Sequence, residues 1–203
     1  MRIVVISPEW ADPREVAALD GLLAAGLEYY HVRKPAWTAA ELESWLARLP
    51  QDWRPRMILH GHPQIAARLG LGGRHDPDRM GSPAQSGYSR SCHDLASLRR
   101  HLPAYKAILF GPVFESITKP GYGPPPGFPW GELRSLLGRK KSESGARVLA
   151  IGGVTAARLA RCRELGFDGA AVMGAIWNKT DPVGSFARIR DEATRLEAAH
   201  HAA

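Results

Sequence analysis

Short apolar runs recur along the whole chain, and helix-like stretches separate them. Eight runs are typical of strands: Arg2–Ile6, Tyr29–Arg33, Met57–His60, Gly72–His75, Tyr88–Cys92, Ala107–Phe110, Val148–Ile151 and Ala170–Met173. Most are apolar or β-branched, as buried parallel strands are. This alternation predicts an α/β fold, a (β/α)8 TIM barrel near the short end of its size range. A doubly wound open sheet is the alternative.

Residues that favour helix starts stand in the gaps between these runs. The candidates are Pro13, Thr38, Asp94, Thr155 and Asp181, and Thr38 has the capping-box partner Glu41 three residues later. Val16, Leu19 and Leu23 are predicted to share the buried face of the first helix. Two stretches rich in Pro, Gly or Ser, 79–87 and 120–129, interrupt the pattern, and the second is either a lid or a surface loop.

Composition narrows the possible functions. The 203 residues carry a formal net charge of +7, which suits anionic ligands. The arginines are scattered, and no dense basic run with interleaved aromatics predicts nucleic-acid binding. The first apolar run is too short for a membrane span, and two cysteines provide no disulfide framework. We therefore expect one cytoplasmic domain over residues 1–203.

Two loops after predicted strands are suited to phosphate groups. Ser116, Thr118 and Lys119 follow the sixth strand and offer two hydroxyls and an ammonium. Gly152 and Gly153 follow the seventh strand, and Met173 and Gly174 end the eighth. The usual phosphate site of a TIM barrel is built from loops at this place, where backbone N–H groups must be accessible.

Further polar residues stand at the carboxyl ends of the other strands. Period-two alternation places His31 and Arg33 on one face of the second strand, and Ser91 and His93 on one face beyond the fifth. Arg33 is a candidate anion ligand, and Cys92 should pack on the opposite face. His31, His60 and His93 are candidates for proton transfer or for hydrogen bonds to a heterocycle.

The histidines also raise the question of a metal. His60 and His62 would need a third ligand to bind one, and His75 or Asp76 could supply it. No metal ligand is assigned with these residues alone.

Together these segments resemble the thiamine phosphate synthase/TenI family. The resemblance rests on Ser91-Cys92-His93, the run 111–119, Ile151-Gly152-Gly153-Val154 and the run 166–173. It implies a TIM barrel, a homodimer and small phosphorylated heterocyclic substrates. The synthase couples hydroxymethylpyrimidine pyrophosphate with thiazole phosphate and releases pyrophosphate. By the family pattern, pyrophosphate is held by Arg33, Ser91, Ser116, Thr118 and Lys119, and thiazole phosphate by the backbone around Gly153 and Gly174.

The chain departs from the synthase pattern at several positions. The family has Asn-Asp where this chain has His60-Gly61, and a second metal-binding Asp is also missing near His75. Mg²⁺ is therefore a doubtful cofactor, and a more cationic mouth is expected to replace it in part. A lysine of the second strand is displaced to Lys34.

The TenI branch is a thiazole tautomerase, and its pattern is also incomplete. The histidine usually proposed as its acid/base is replaced by Pro112, so His31, His60 or His93 would have to take that role. A thiazole tautomerase and a non-catalytic barrel that binds thiazole or thiamine phosphate remain the alternatives to the synthase.

Overall fold

The computed structural model describes residues 1–78, 87–143 and 145–201. Eight strands form a closed barrel in which neighbours along the chain pair in parallel and β1 pairs with β8. The strands are β1 Arg2–Ile6, β2 Tyr30–Val32, β3 Met57–His60, β4 Gly73–Asp76, β5 Ser89–Cys92, β6 Ala107–Phe110, β7 Arg147–Ala150 and β8 Gly169–Val172. The predicted TIM barrel is confirmed, and the open-sheet alternative is wrong.

Within the described ranges, eight α-helices follow or connect these strands. They are α1 Glu15–Ala24, α2 Ala39–Ala47, α3 Pro63–Arg68, α4 Leu95–His101, α5 Trp130–Glu143, α6 Leu159–Glu164, α7 Gly174–Trp177 and α8 Pro182–His201. None of the helices in the described ranges combines the length and the apolar character that a bilayer span requires.

The helix caps agree with the sequence at three of four positions. Thr38 and Glu41 form the complete capping box of α2, Asp94 accepts from the backbone N–H of Ser97, and Asp181 accepts from that of Gly184. Thr155 makes no side-chain cap bond, and a 3₁₀ turn precedes α6. Val16 was predicted on the buried face of α1 but is 42% exposed, because only one side of this short helix faces the barrel.

Buried apolar side chains of the described residues form two separate clusters, one on each face of the sheet. The larger lies between the barrel and the helices and includes Val5, Val32, Leu59 and Ile108. The smaller consists of Val4, Ile6, Leu109, Leu149 and Ala171. Side chains alternate across a strand, so the smaller cluster fills the barrel interior.

The other side of the barrel interior is polar. Register pairs Ile6 with His31 and His60 with His75, and alternation then directs all three histidines inward. Ser89 and Ser91 share this interior face, because each accepts or donates a hydrogen bond with His75. Buried polar groups must be hydrogen-bonded to be tolerated, and this half of the barrel meets that condition through its histidine and serine side chains.

Candidate functional site

Two neighbouring cavities open at the carboxyl ends of the strands. The first, of about 190 Å³, lies over β6, β7 and β8. The second, of about 720 Å³, lies over β3, β4 and β5. Ile6, Arg33, Tyr122 and Ile151 line both cavities. Arg33 can therefore reach an anion that lies in either cavity or spans the two.

The first cavity brings together most of the predicted anion ligands. Eight predicted residues line it: Arg33, Ser116, Thr118, Lys119, Gly152, Gly153, Met173 and Gly174. Side-chain cations lie on one part of its wall, and the glycine-rich loops after β7 and β8 form another. A ligand with an anionic group at each end fits this division.

The loop after β6 is folded back on itself. The Ser116 hydroxyl accepts from the backbone N–H of Lys119 at 3.1 Å, and the Ser116 N–H donates to the Tyr122 carbonyl at 2.7 Å. These bonds fix the turn that presents Thr118 and Lys119. Tyr122, at the start of the proline-rich stretch, closes one side of both cavities.

Both the backbone conformation and the surroundings of position 153 require a glycine. Its φ is +63°, and a Cβ added there would lie 2.1 Å from the carbonyl oxygen of Glu115. A side chain at this position is therefore excluded by the backbone of the neighbouring loop. The close approach leaves the backbone of the β7 loop as a wall of the first cavity.

The second cavity collects the remaining candidates. His60, Ser91 and His93 line it together with Arg33. His31 lies beneath, 1% exposed, with its Nδ1 3.1 Å from His60 Nε2. The His93 Nδ1 lies against the Gly111 carbonyl oxygen, so it carries the hydrogen and leaves the lone pair on Nε2.

Burial keeps the inner histidines neutral. It lowers the pKa of His31 to about 3. The pKa values of His60 and His75 also lie well below the ordinary value, first because of burial and then because of neighbouring histidines and Arg33. Neutral imidazoles offer one donor and one acceptor each, which suits hydrogen bonds to a heterocycle.

A carboxylate in the first cavity was missed by the sequence reasoning. Glu9 lines this cavity, forms an ion pair with Arg33 and lies 3.2 Å from the Lys119 Nζ. Burial raises the pKa of Glu9, but the two cations outweigh it and the net shift is downward. The expected cationic mouth is therefore partly neutralised by the chain itself.

Lys34 contributes to the wall of the second cavity, but its ammonium is held by other groups of the chain. Its Nζ is buried, pairs with Glu15 and donates to the carbonyl oxygens of Pro8 at 2.9 Å and Trp10 at 3.0 Å. Tyr30 donates to the other Glu15 oxygen at 2.7 Å. Lys34 is thus a structural ion pair that holds the loop after β1, and no anion can reach its ammonium without breaking that pair.

The residues present do not fit a carboxylate-bound Mg²⁺ ion. Asp76, near the missing family position, accepts from Arg74, from Tyr105 and from the Gly87 backbone on the outer face of the sheet. Asp78 lines the second cavity, but it accepts from the Ser97 hydroxyl. Mg²⁺ requires oxygen ligands in near-octahedral geometry, and the described residues at this place offer imidazoles and hydroxyls instead.

Cys92 packs away from both cavities, as its alternation predicted. Its side chain is buried, and burial raises the pKa of the thiol to about 11. A thiol in this state is a poor nucleophile at neutral pH.

Comparison with known proteins agrees with this architecture. The family model described as "Thiamine monophosphate synthase" matches residues 3–176. The thiamine-phosphate synthase of Methylobacillus flagellatus is 29% identical over 193 residues, which cover 88% of each chain. That of Chromobacterium violaceum is 29% identical over 195 residues, covering 88% of this chain and 89% of its own.

Solved structures show the same fold. The thiamine phosphate pyrophosphorylase of Bacteroides thetaiotaomicron superposes with a TM-score of 0.77 and 24% identity, covering 96% of this chain and 98% of its own. That of Pyrococcus furiosus gives 0.76 with 19% identity and covers 96% of each chain.

Proposed function

Because the chain belongs to the thiamine monophosphate synthase family and is an enzyme of thiamine biosynthesis, we propose that it forms thiamine phosphate. It would couple hydroxymethylpyrimidine pyrophosphate with thiazole phosphate and release pyrophosphate. The observation that carries this proposal is the makeup of the first cavity, with Arg33 and Lys119 on one part of its wall and the backbone around Gly153 and Gly174 on another.

The chemistry requires the protein to stabilise a leaving group. The bond between the pyrimidine methylene carbon and the pyrophosphate oxygen breaks, and the oxygen keeps the electron pair. The thiazole nitrogen then donates its lone pair to that carbon. Negative charge builds up on pyrophosphate, so preorganised donors near its oxygens lower the barrier. In this proposal the donors are Arg33, Lys119, Ser116 and Thr118, all of which line the first cavity.

The two substrates would use different parts of the mouth. The phosphate of the thiazole lies on the backbone after β7 and β8, where its charge does not change during the reaction. The pyrimidine lies in the second cavity, near His60, Ser91 and His93. Arg33 would hold the pyrophosphate between the two cavities, and its position in the lining of both supports this role. This arrangement supplies mainly proximity and orientation.

The reaction assay tests the proposal directly. The purified protein is incubated with both substrates, with and without Mg²⁺, and thiamine phosphate is measured by conversion to its fluorescent oxidation product. Formation of thiamine phosphate in either condition supports the synthase. No product with or without Mg²⁺ contradicts it. Isomerisation of thiazole carboxylate phosphate without coupling would instead identify a tautomerase, and tight binding without turnover a non-catalytic barrel.

Lys119→Ala tests the assigned cation. Lys119 is 54% exposed, so its loss should weaken pyrophosphate binding by about 1.5 kcal/mol, the lower end for a charged hydrogen bond. Lys106→Ala is the matched control, because it removes the same charge from an exposed position before β6. Isothermal titration with pyrophosphate compares the two. Equal affinities in both variants would remove Lys119 from the site.

A further inference from the structure

Three histidines from three adjacent strands meet inside the barrel. His31 belongs to β2, His60 to β3 and His75 to β4, and all three side chains point into the barrel. One ring nitrogen of each lies within 4.8 Å of a ring nitrogen of both others. Their ring centroids are 4.0 to 5.6 Å apart. This cluster lies at the base of the second cavity, whose lining includes His60 and His75, and it is not needed for the anion contacts described above.

We propose that His31, His60 and His75 bind a divalent transition-metal ion such as Zn²⁺. Imidazole nitrogen is a preferred ligand of Zn²⁺, and three protein ligands with one open position are typical of reactive zinc sites. Nitrogen ligands also favour Zn²⁺, Co²⁺ or Ni²⁺ over Mg²⁺. The cluster stands where the family's carboxylates are missing, so the metal preference of this chain differs from the family pattern.

The distance between two of the nitrogens suits such an ion. His31 Nδ1 and His60 Nε2 are 3.1 Å apart. Two ligands of a tetrahedral Zn²⁺ with bonds of about 2.0–2.1 Å are separated by about 3.3 Å. Binding would therefore need little movement of these two rings. The His75 ring stacks on His60 with an interplanar angle of 25°, and its ligand nitrogen lies within 4.8 Å of the other two.

Ser89 provides the outer contact that such a ligand requires. Its hydroxyl lies 2.8 Å from His75 Nδ1, and the Ser91 hydroxyl lies 2.8 Å from Nε2. With the hydrogen on Nδ1 donated to Ser89, the lone pair on Nε2 points toward Ser91. A metal at Nε2 would replace the Ser91 hydroxyl and leave the Ser89 bond intact, which is the usual outer support of a metal-bound histidine.

The surroundings also fit an ion with an anionic fourth ligand. An imidazole that binds a metal through a ring nitrogen is a neutral ligand. Three neutral ligands do not offset the charge of a divalent ion. His60 and His75 line the second cavity together with Arg33. A water, a hydroxide or a phosphate oxygen can reach the open position from this cavity.

Metal retention by the full chain tests this site without any substrate. The protein is loaded with Zn²⁺, dialysed against metal-free buffer containing Mg²⁺ in excess, and analysed by mass spectrometry of the metal. We expect one Zn²⁺ per chain, and Co²⁺ loading should give the intense visible absorption of a four- or five-coordinate nitrogen site. Retention of no Zn²⁺, or its displacement by Mg²⁺, would overturn the proposal and leave a hydrogen-bonded histidine cluster.

Single substitutions locate the metal. His60→Asn and His75→Asn should lose Zn²⁺ affinity, measured by competition with a coloured chelator, by more than the roughly 10–100-fold typical of an outer contact. Ser89→Ala should fall within that range. His62→Asn is the matched control, because His62 is exposed and lies outside the cluster. Equal affinity in His60→Asn and His62→Asn overturns the site, and circular dichroism verifies that each variant is folded.

This outcome is separable from the proposed reaction. Zn²⁺ binding without thiamine phosphate formation would support the metal site and contradict the synthase. Thiamine phosphate formation by a protein that retains no metal would do the reverse.

Discussion

Glu9 lies between the two cations that are assigned to pyrophosphate. Its carboxylate contacts Arg33 and Lys119 in the same cavity that an anionic substrate would enter. An incoming pyrophosphate carries more charge and more acceptors than one carboxylate, and it must displace Glu9 from at least one partner. Glu9 thus holds the cations in position and competes with the ligand for them.

Glu9→Gln should strengthen pyrophosphate binding. The substitution keeps the shape but removes the competing charge, and partly exposed ion pairs contribute about 0.4–1 kcal/mol, which corresponds to a gain of roughly two- to fivefold. Glu164→Gln is the matched control, since Glu164 is 63% exposed and pairs with Arg161 on α6. Calorimetric titration with pyrophosphate measures both. Unchanged binding would contradict the competition between Glu9 and the anion, and weaker binding would show that Glu9 assists the anion instead.

The sequence could predict that Glu9 lies at the carboxyl end of a strand, but it could not predict which residues Glu9 contacts. It stands three residues beyond the end of β1, the same place in the fold that identified Arg33 and Ser116. Its contact with Lys119 joins residues separated by 110 positions. Such a contact follows from closure of the barrel, which brings β1 and the β6 loop to one mouth, and no local pattern of residues encodes it.

At the scale of elements, predicted and observed strands differ by at most one residue at either end. The predicted bounds of β1, β3 and β6 match the structure, because these mainly apolar runs end at a serine or a glycine. The apolar residues Ile151 and Met173 follow β7 and β8, and both strands were predicted one residue too late. Helix starts were less certain. Thr155 has a residue type suited to capping, but the chain enters a 3₁₀ turn there and its hydroxyl makes no cap bond. Residue type alone does not determine the backbone direction on which a cap depends.

The loop after β1 is held in place by a buried ion pair. Lys34 Nζ bonds two backbone carbonyls of this loop, those of Pro8 and Trp10, which flank Glu9. Burial lowers the pKa of Lys34 and raises that of Glu15, while their mutual attraction acts against both shifts. The pair therefore links α1, β2 and the loop that carries Glu9.

Lys34→Met should destabilise the protein by about 3–5 kcal/mol, because it leaves the Glu15 carboxylate buried without its cation. The double variant Lys34→Met/Glu15→Gln should recover a large part of this loss, since Tyr30 can still donate to the amide oxygen of Gln. Urea unfolding at pH 7 measures both variants. A single variant as stable as the wild type, or a double variant less stable than the single one, would contradict this account of the pair.

At the scale of the whole molecule, the barrel interior has two unlike halves. Val4, Ile6, Leu109, Leu149 and Ala171 fill one half, and three histidines with two serines occupy the other. The anion site lies above the apolar half and the histidine cluster below the second cavity. Spacing in the sequence could not reveal this division, because the meeting of His31, His60 and His75 depends on the register of two strand pairs, β2 with β3 and β3 with β4.

Closure of the barrel depends on a close approach between its first and last strands. Arg2 pairs with Gly169, and a Cβ added at Gly169 would lie 1.9 Å from the Arg2 carbonyl oxygen. Neither backbone can move alone, because β1 also pairs with β2 and β8 with β7. A side chain at this position must therefore strain the ring of strands as a whole.

Gly169→Ala should lower the free energy of unfolding by about 1–3 kcal/mol, the usual cost of overpacking. Gly138→Ala is the matched control, since Gly138 is exposed in α5 with no heavy atom within 4 Å of an added Cβ. That helical position should gain about 0.5–1 kcal/mol. Urea unfolding should show a lower free energy of unfolding for Gly169→Ala and a higher one for Gly138→Ala. Gly169 begins β8 at the end away from the cavities, so the folded Gly169→Ala variant should retain its affinity for pyrophosphate. Equal stability of Gly169→Ala and Gly138→Ala would contradict the prediction and show that β1 and β8 adjust independently.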